Sequence, residues 1–115
     1  MKIIIDEIPP SNNRFIGREN RWEYQEEKKR WEALVRIACI GKPKKQTERA
    51  VVQIRYFFPD RRRRDPDNYS GKMILDGLVR CGVLKDDSFS YIRLELSAEC
   101  SPGRPHTEIV VNEVK

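Results

Sequence analysis

Between residues 60 and 88 the chain sets four consecutive arginines, Arg61, Arg62, Arg63 and Arg64, directly before Asp65-Pro66-Asp67-Asn68, and it ends the next apolar segment with Lys85-Asp86-Asp87-Ser88. Guanidinium groups bind anions such as phosphate, and gathered carboxylates bind divalent cations. A substrate that needs both is the metal-bridged phosphodiester of a nucleic acid. Carboxylates in one place repel one another and resist ionising without a compensating charge. Mg²⁺ supplies that charge, taking one or two carboxylates together with phosphate oxygens and water. Such an ion can activate water, and a second can stabilise the leaving oxygen of an in-line displacement. In this chemistry Lys72 neutralises charge in the transition state or orients the attacking water. The four arginines hold flanking phosphates.

The same residues have plainer readings. Asp-Pro-Asp-Asn is good turn chemistry, and an arginine run is commonly a solvated patch. Asp65, Asp67 and Asp76 also fall at positions 1, 3 and 12 of a calcium-loop register. That register puts Ser70 where glycine is required, and it follows a strand where a helix is needed. The adjacency of the run, the carboxylates and the later Asp-Asp favours the nuclease.

The elements that must position these groups follow from periodicity. Asp65 precedes proline and is expected to be extended; with Asp67 two residues on, both carboxylates would project to one side. Asp67 or Asn68 is then expected to cap a helix over residues 69–83, in which Ile74, Leu75, Leu78 and Val79 form a stripe, Lys72 and Asp76 share a face, and Gly82 ends the last turn. Asp86 and Asp87 open the next strand, 91–99. If that strand lies beside the one ending at Pro59, all the aspartates converge on one end of the sheet.

Upstream, residues 2–8 read as a strand stopped by Pro9-Pro10. Ser11 to Arg14 is a polar turn, with Asn12, Asn13 or Arg14 near a phosphate as its functional reading. Residues 19–40 are helical, with Trp31, Leu34, Val35 and Ala38 on one stripe, extended a turn or two by Tyr24 and Lys28; Trp22 and Trp31 are expected as core or interface anchors. Residues 44–47 form a basic surface loop. In 48–58, Val52, Ile54, Tyr56 and Phe58 alternate with a more polar set. Residues 108–114 are expected to form a hairpin with the preceding strand. The order is βαβαββ, an α+β domain spanning 1–115 with two helices on one face of a small mixed sheet.

At 115 residues the chain suits one core; 38% apolar and 36% charged residues, periodically arranged, mark a folded domain and not a disordered one. A net charge of +5 permits nucleic-acid binding without requiring it. Cys39, Cys81 and Cys100 are too scattered for a zinc site with His106 and read as free thiols in small apolar positions. The first residues read as a strand, not a secretory leader, and no apolar run approaches a membrane span. A reduced, cytoplasmic protein without membrane association is expected.

Taken together, Pro9-Pro10-Ser11-Asn12-Asn13-Arg14, Pro59 to Asn68, Lys72 with Asp76-Gly77-Leu78, and Gly82 followed by Asp86-Asp87-Ser88 resemble the RusA-type Holliday junction resolvases, crossover junction endodeoxyribonucleases of DNA recombination and repair. The resemblance implies a homodimer, dependent on Mg²⁺ with Mn²⁺ as its substitute, that nicks two opposed strands of a branched DNA, the four-way junction. It implies Asp65, Asp67 and Asp87 as metal ligands and catalytic residues, Lys72 as the catalytic lysine, Asp76 and Asp86 as supporting acids, and Asn13 and Arg14 with the arginine run as DNA contacts. The chain departs from the family pattern in one place: Gly71 occupies the lysine position and Lys72 follows one residue later. Two alternatives stay open, a non-enzymatic basic DNA-binding protein and a metal-dependent nuclease acting on flaps or RNA. For the dimer interface, the second helix and Tyr56 to Phe58 are the expected faces.

Overall fold

Alternation of apolar and polar residues makes Ala50–Phe58 a strand, β2, whose Val52, Ile54, Tyr56 and Phe58 are buried. In the computed structural model, which describes residues 1–42 and 46–114, three further strands join it: β1 (Lys2–Ile5), β3 (Ile92–Cys100) and β4 (His106–Glu113). The sheet order is β1-β4-β2-β3. β4 runs antiparallel to both β1 and β2, whereas β3 runs parallel to β2. A parallel pair needs a crossover connection, supplied here by helix α2 (Lys72–Arg80). With α1 (Arg21–Ala38) packed beside α2, the chain is the expected α+β domain, helices on one face of a mixed sheet.

The expected hairpin of the last two strands does not form. β4 lies between β1 and β2, while β3 pairs with β2. Burial explains the choice: β4 turns Thr107, Ile109 and Val111 fully inward, as a central strand must, whereas Leu94 and Leu96 of β3 are only half-buried, as suits an edge. β1 also ends at Ile5, short of Ile8. There the Thr107 hydroxyl donates to the Glu7 carbonyl at 2.7 Å and replaces the ladder.

Trp31 and Val35 of α1, Ile74 and Leu78 of α2, and Val52, Ile54 and Ile109 of the sheet are fully buried. Each such side chain contributes roughly 1.5–3 kcal/mol relative to exposure. Trp22 does not join them and is 74% exposed. It sits nine residues before Trp31, about two and a half helical turns, and so faces the opposite way. Tyr56, Phe58 and the apolar stripe of α2 are consumed by this core, which removes them as dimer faces, whereas Phe57 lies half-buried on the opposite face of the sheet, stacked on His106. The helices touch closely where a Cβ on Gly77 would stand 3.1 Å from Cβ of Val35.

Part of the expected basic loop 44–47 lies outside the described residues. Thr47 is buried rather than on a surface loop, its N–H donating to Val83 O at 2.8 Å. Among the described residues no helix is long and apolar enough to cross a membrane.

Candidate nucleic-acid interface

Past Pro59 the chain is organised by Asp60. Its carboxylate accepts the Arg62 N–H at 3.0 Å and pairs with Arg64 Nη1 at 2.9 Å and Arg62 Nε at 3.4 Å. The Arg62 N–H first, and the Arg64 guanidinium second, hold its carboxyl below the usual carboxylate range. Arg64 also donates to the carbonyls of Asp60 and Arg62, and its guanidinium lies 4.2 Å from the centre of the Phe58 ring. Its side chain is 18% exposed, against 83% for Arg62 and 89% for Arg63. The run therefore divides. Arg64 is a strut of the turn, and Arg61, Arg62 and Arg63 face solvent. Arg61 has neither a hydrogen bond nor an ion pair among the described residues.

Asp65 is extended, at φ −100° and ψ 140°, as the following proline requires. Asp67 is not. Pro66–Asn68 forms a 3₁₀ turn, closed by Asn68 N–H to Asp65 O at 3.0 Å and Tyr69 N–H to Pro66 O at 3.1 Å. The period-two alignment of the two carboxylates therefore does not apply. Nor does Asp67 or Asn68 cap α2. The cap position is Gly71, at φ 79°, with no side-chain hydrogen bond. A Cβ there would lie 2.5 Å from Cδ1 of Ile54, so conformation and space both demand glycine. Lys72 then opens α2 and pairs with Asp76 one turn on, Nζ to Oδ2 3.8 Å.

Of the turn Ser11 to Arg14, the residue that reaches this region is Asn12. Its side-chain amide donates to the Asp67 carbonyl at 3.0 Å and to Ser70 Oγ at 3.2 Å, across 55 and 58 residues of sequence. Asn13 and Arg14, the expected contacts, are exposed, and Arg14 pairs with Glu23 at 3.9 Å. Nothing in the sequence distinguishes Asn12 from Asn13, since both sit in a turn shaped by Ser11, whose hydroxyl accepts the Asn13 N–H.

Asp76 is met from both helices, by Lys72 and by Lys28 of α1 at 3.7 Å, and its Oδ2 is buried without a hydrogen bond. Lys28, expected only as part of the α1 stripe, is thus a second cation at this acid. Asp76 and Asp87 line one cleft of about 340 Å³ between α1 and α2, together with Lys28 and Arg80. The side chains of Asp67, Asp86 and Asp87 make no hydrogen bond or ion pair among the described residues.

The condition set for convergence of the aspartates is met, since β3 lies beside β2, but the pairing is parallel. Asp65 follows the end at which Phe58 faces Cys100, and Asp87 precedes the end at which Ala50 faces Ile92. α2 runs back between them with Asp76 near its middle. The structure thus brings Asp76 together with Asp87, Lys72 with Asp76, and Asn12 with Asp67. It does not gather Asp65, Asp67 and Asp87: among the described residues no three His, Cys, Asp or Glu form a metal-holding group. No model of a known protein family matches the chain, and no curated protein does.

Proposed function

We propose that the protein is a metal-dependent endodeoxyribonuclease of the RusA type, which cuts four-way DNA junctions by paired nicks and serves recombination and repair in the cytoplasm. One observation carries this reading: two of the segments on which the family resemblance rests, Pro9 to Arg14 and Pro59 to Asn68, are hydrogen-bonded to each other through Asn12, whose amide donates to the Asp67 carbonyl. Motifs far apart in sequence that meet in space behave as one site.

Mg²⁺, with Mn²⁺ as its substitute, is the cation of this reading. Asp65 and Asp67 flank one proline on one turn; Asp67 is uncommitted, and Asp65 is held by Arg63, a side chain 89% exposed and able to leave. Such a donor pair fits the mode in which Mg²⁺ takes one or two carboxylates and completes its shell with water and phosphate oxygens, not a closed cage of three. When bound, the ion supplies charge that activates water and polarises the phosphodiester. Arg61, Arg62 and Arg63 hold the flanking phosphates. Asn12 fixes the turn that carries Asp67. Asp76 holds the Lys72 ammonium at the mouth of a wide cleft shared with Asn12 and Tyr24, where it can offset phosphate charge. Asp87, the third acid of the resemblance, faces the cleft beside Asp76, with Asp86 next to it in sequence.

A junction is resolved by cutting two strands related by a twofold axis, so this function requires a C₂ dimer with one site per protomer. The test is incubation of a synthetic four-way junction and a linear duplex with Mg²⁺ or with chelator, followed by mapping of the nicks. Paired, Mg²⁺-dependent nicks in the junction alone are expected; equal cutting of linear duplex would overturn the substrate assignment. The separation of Asp65 and Asp67 from Asp87 favours a second reading, a basic protein that binds branched DNA without cutting it. Tight junction binding with no nicks in Mg²⁺ or Mn²⁺ identifies that case.

A further inference from the structure

We propose that Cys39 and Cys81 are a redox-sensitive thiol pair, which a low-molecular-weight disulfide converts to an intramolecular disulfide clamping the C-terminal ends of α1 and α2. The inference stands apart from the nuclease reading and rests on how the two helices run. Their contacts advance in the same direction along both. Lys28 meets Asp76 at 3.7 Å, and four residues later on each helix Glu32 meets Arg80 at 3.4 Å. On the other side of the crossing Val35 faces Gly77, and four residues later on each helix come Cys39 and Cys81. Residues four apart lie over one another on a helix. A close approach at Val35 and Gly77 therefore carries the two cysteines to the same level. Both are C-cap residues, and both are half-buried against the core.

The thiols sense each other. Burial first, and then the neighbouring Cys81, pushes the Cys39 thiol up to about 11. Cys39 is thus held protonated and is the poorer attacking group. Cys81 lies at the surface end of α2, where its thiol also contacts the Leu78 carbonyl at 3.7 Å.

The step balances as thiol–disulfide exchange. The Cys81 thiolate attacks one sulfur of the small disulfide RSSR and expels RS⁻, leaving a mixed disulfide. Cys39 then loses its proton, attacks the Cys81 sulfur and expels the second RS⁻. The two protein thiols give up two electrons and two protons, and RSSR leaves as two RSH. Cys100 has no part in this, because it ends β3 at the Phe58 end of the sheet.

The experiment uses the full chain, reduced and then equilibrated with glutathione buffers of increasing oxidised fraction. After free thiols are alkylated, peptides are mapped by mass spectrometry. The expected product is a Cys39–Cys81 cross-link lacking two hydrogens, reversed by dithiothreitol. Its Tm should exceed that of the reduced protein by about 10 °C, since the bond closes a long loop in the unfolded chain. Cys100→Ser should behave like the wild type, and Cys81→Ser should form no intramolecular bond. Glutathione mixed disulfides alone, an intermolecular bond, or a link involving Cys100 would each overturn the assignment. The wild-type peptide map decides the matter even if a variant fails to fold.

Discussion

Gly71 and Ile54 are in contact so close that a Cβ at 71 would fall 2.5 Å from Cδ1 of Ile54, which is itself fully buried in β2. The strand thereby dictates where α2 begins, and with it the height of Lys72 relative to the Asp65–Asp67 turn. Gly71→Ala would meet both a left-handed backbone and a core clash. It should cost about 2–4 kcal/mol, read as a lower urea midpoint at unchanged slope. A loss below about 0.5 kcal/mol, the range of neutral surface changes, would show that the turn relaxes without cost.

The division of the arginine run gives a second expectation. Arg61→Ala with Arg63→Ala should weaken DNA binding and lower the log–log salt slope by about two, one per lost phosphate contact, with stability unchanged. Arg64→Ala should do the reverse. It removes the contact on Phe58 and the pair with Asp60, so stability should fall by about 1 kcal/mol while the salt slope holds. Equal slopes for the two variants would mean that the run does not divide in solution.

Asp60 provides the pH dependence. Its carboxyl is held below the ordinary value of 3.8, chiefly by the Arg62 N–H. The order it confers on the turn is therefore complete above that value and is lost as pH falls through the lower, folded value. The Arg62 amide resonance should titrate with the Asp60 carboxyl in that acid range, and Asp60→Asn should abolish the transition. An Arg62 amide that stays fixed throughout would remove the hydrogen bond from the account.

These expectations show which features the sequence could carry. Elements with one uninterrupted period were legible. The alternation at Val52, Ile54, Tyr56 and Phe58 and the stripe at Trp31 and Val35 define β2 and α1 because each burial pattern repeats along its length. Pairing order was not legible: His106 to Glu113 reads the same whether it folds back on its predecessor or inserts between β1 and β2, and only tertiary burial decides. The same ambiguity hid the separation of the acids, since a parallel β2–β3 pair sends Asp65 and Asp87 to opposite ends. The composition of the site was readable as a run of arginines beside carboxylates. The roles of Arg64 and Asn12 were not, because a strut and a ligand use the same side chains and differ only in what they face.

Asn12→Ala and Asp67→Asn separate the architecture of the turn from its chemistry. Asn12 holds the turn through the Asp67 carbonyl, not its carboxylate. Losing it should cost about 1 kcal/mol and lower activity and binding together as the turn loosens. Asp67→Asn leaves that carbonyl in place and removes an exposed carboxylate with no protein partner, so fold and stability should be unchanged. Junction binding should be kept or slightly tightened, because one negative charge beside the phosphates is gone. Nicking in Mg²⁺ should fall by about 10²-fold or more, as expected for loss of a metal ligand. If each protomer cuts one strand, subunits exchanged between wild type and Asp67→Asn should give heterodimers that nick one strand of the junction and leave its partner whole. The yield of single nicks should peak at equal mixing. Wild-type nicking by the variant would sink the role of Asp67. Paired nicks falling in simple proportion to the wild-type share, with no single-nick product, would instead show that one site makes both cuts.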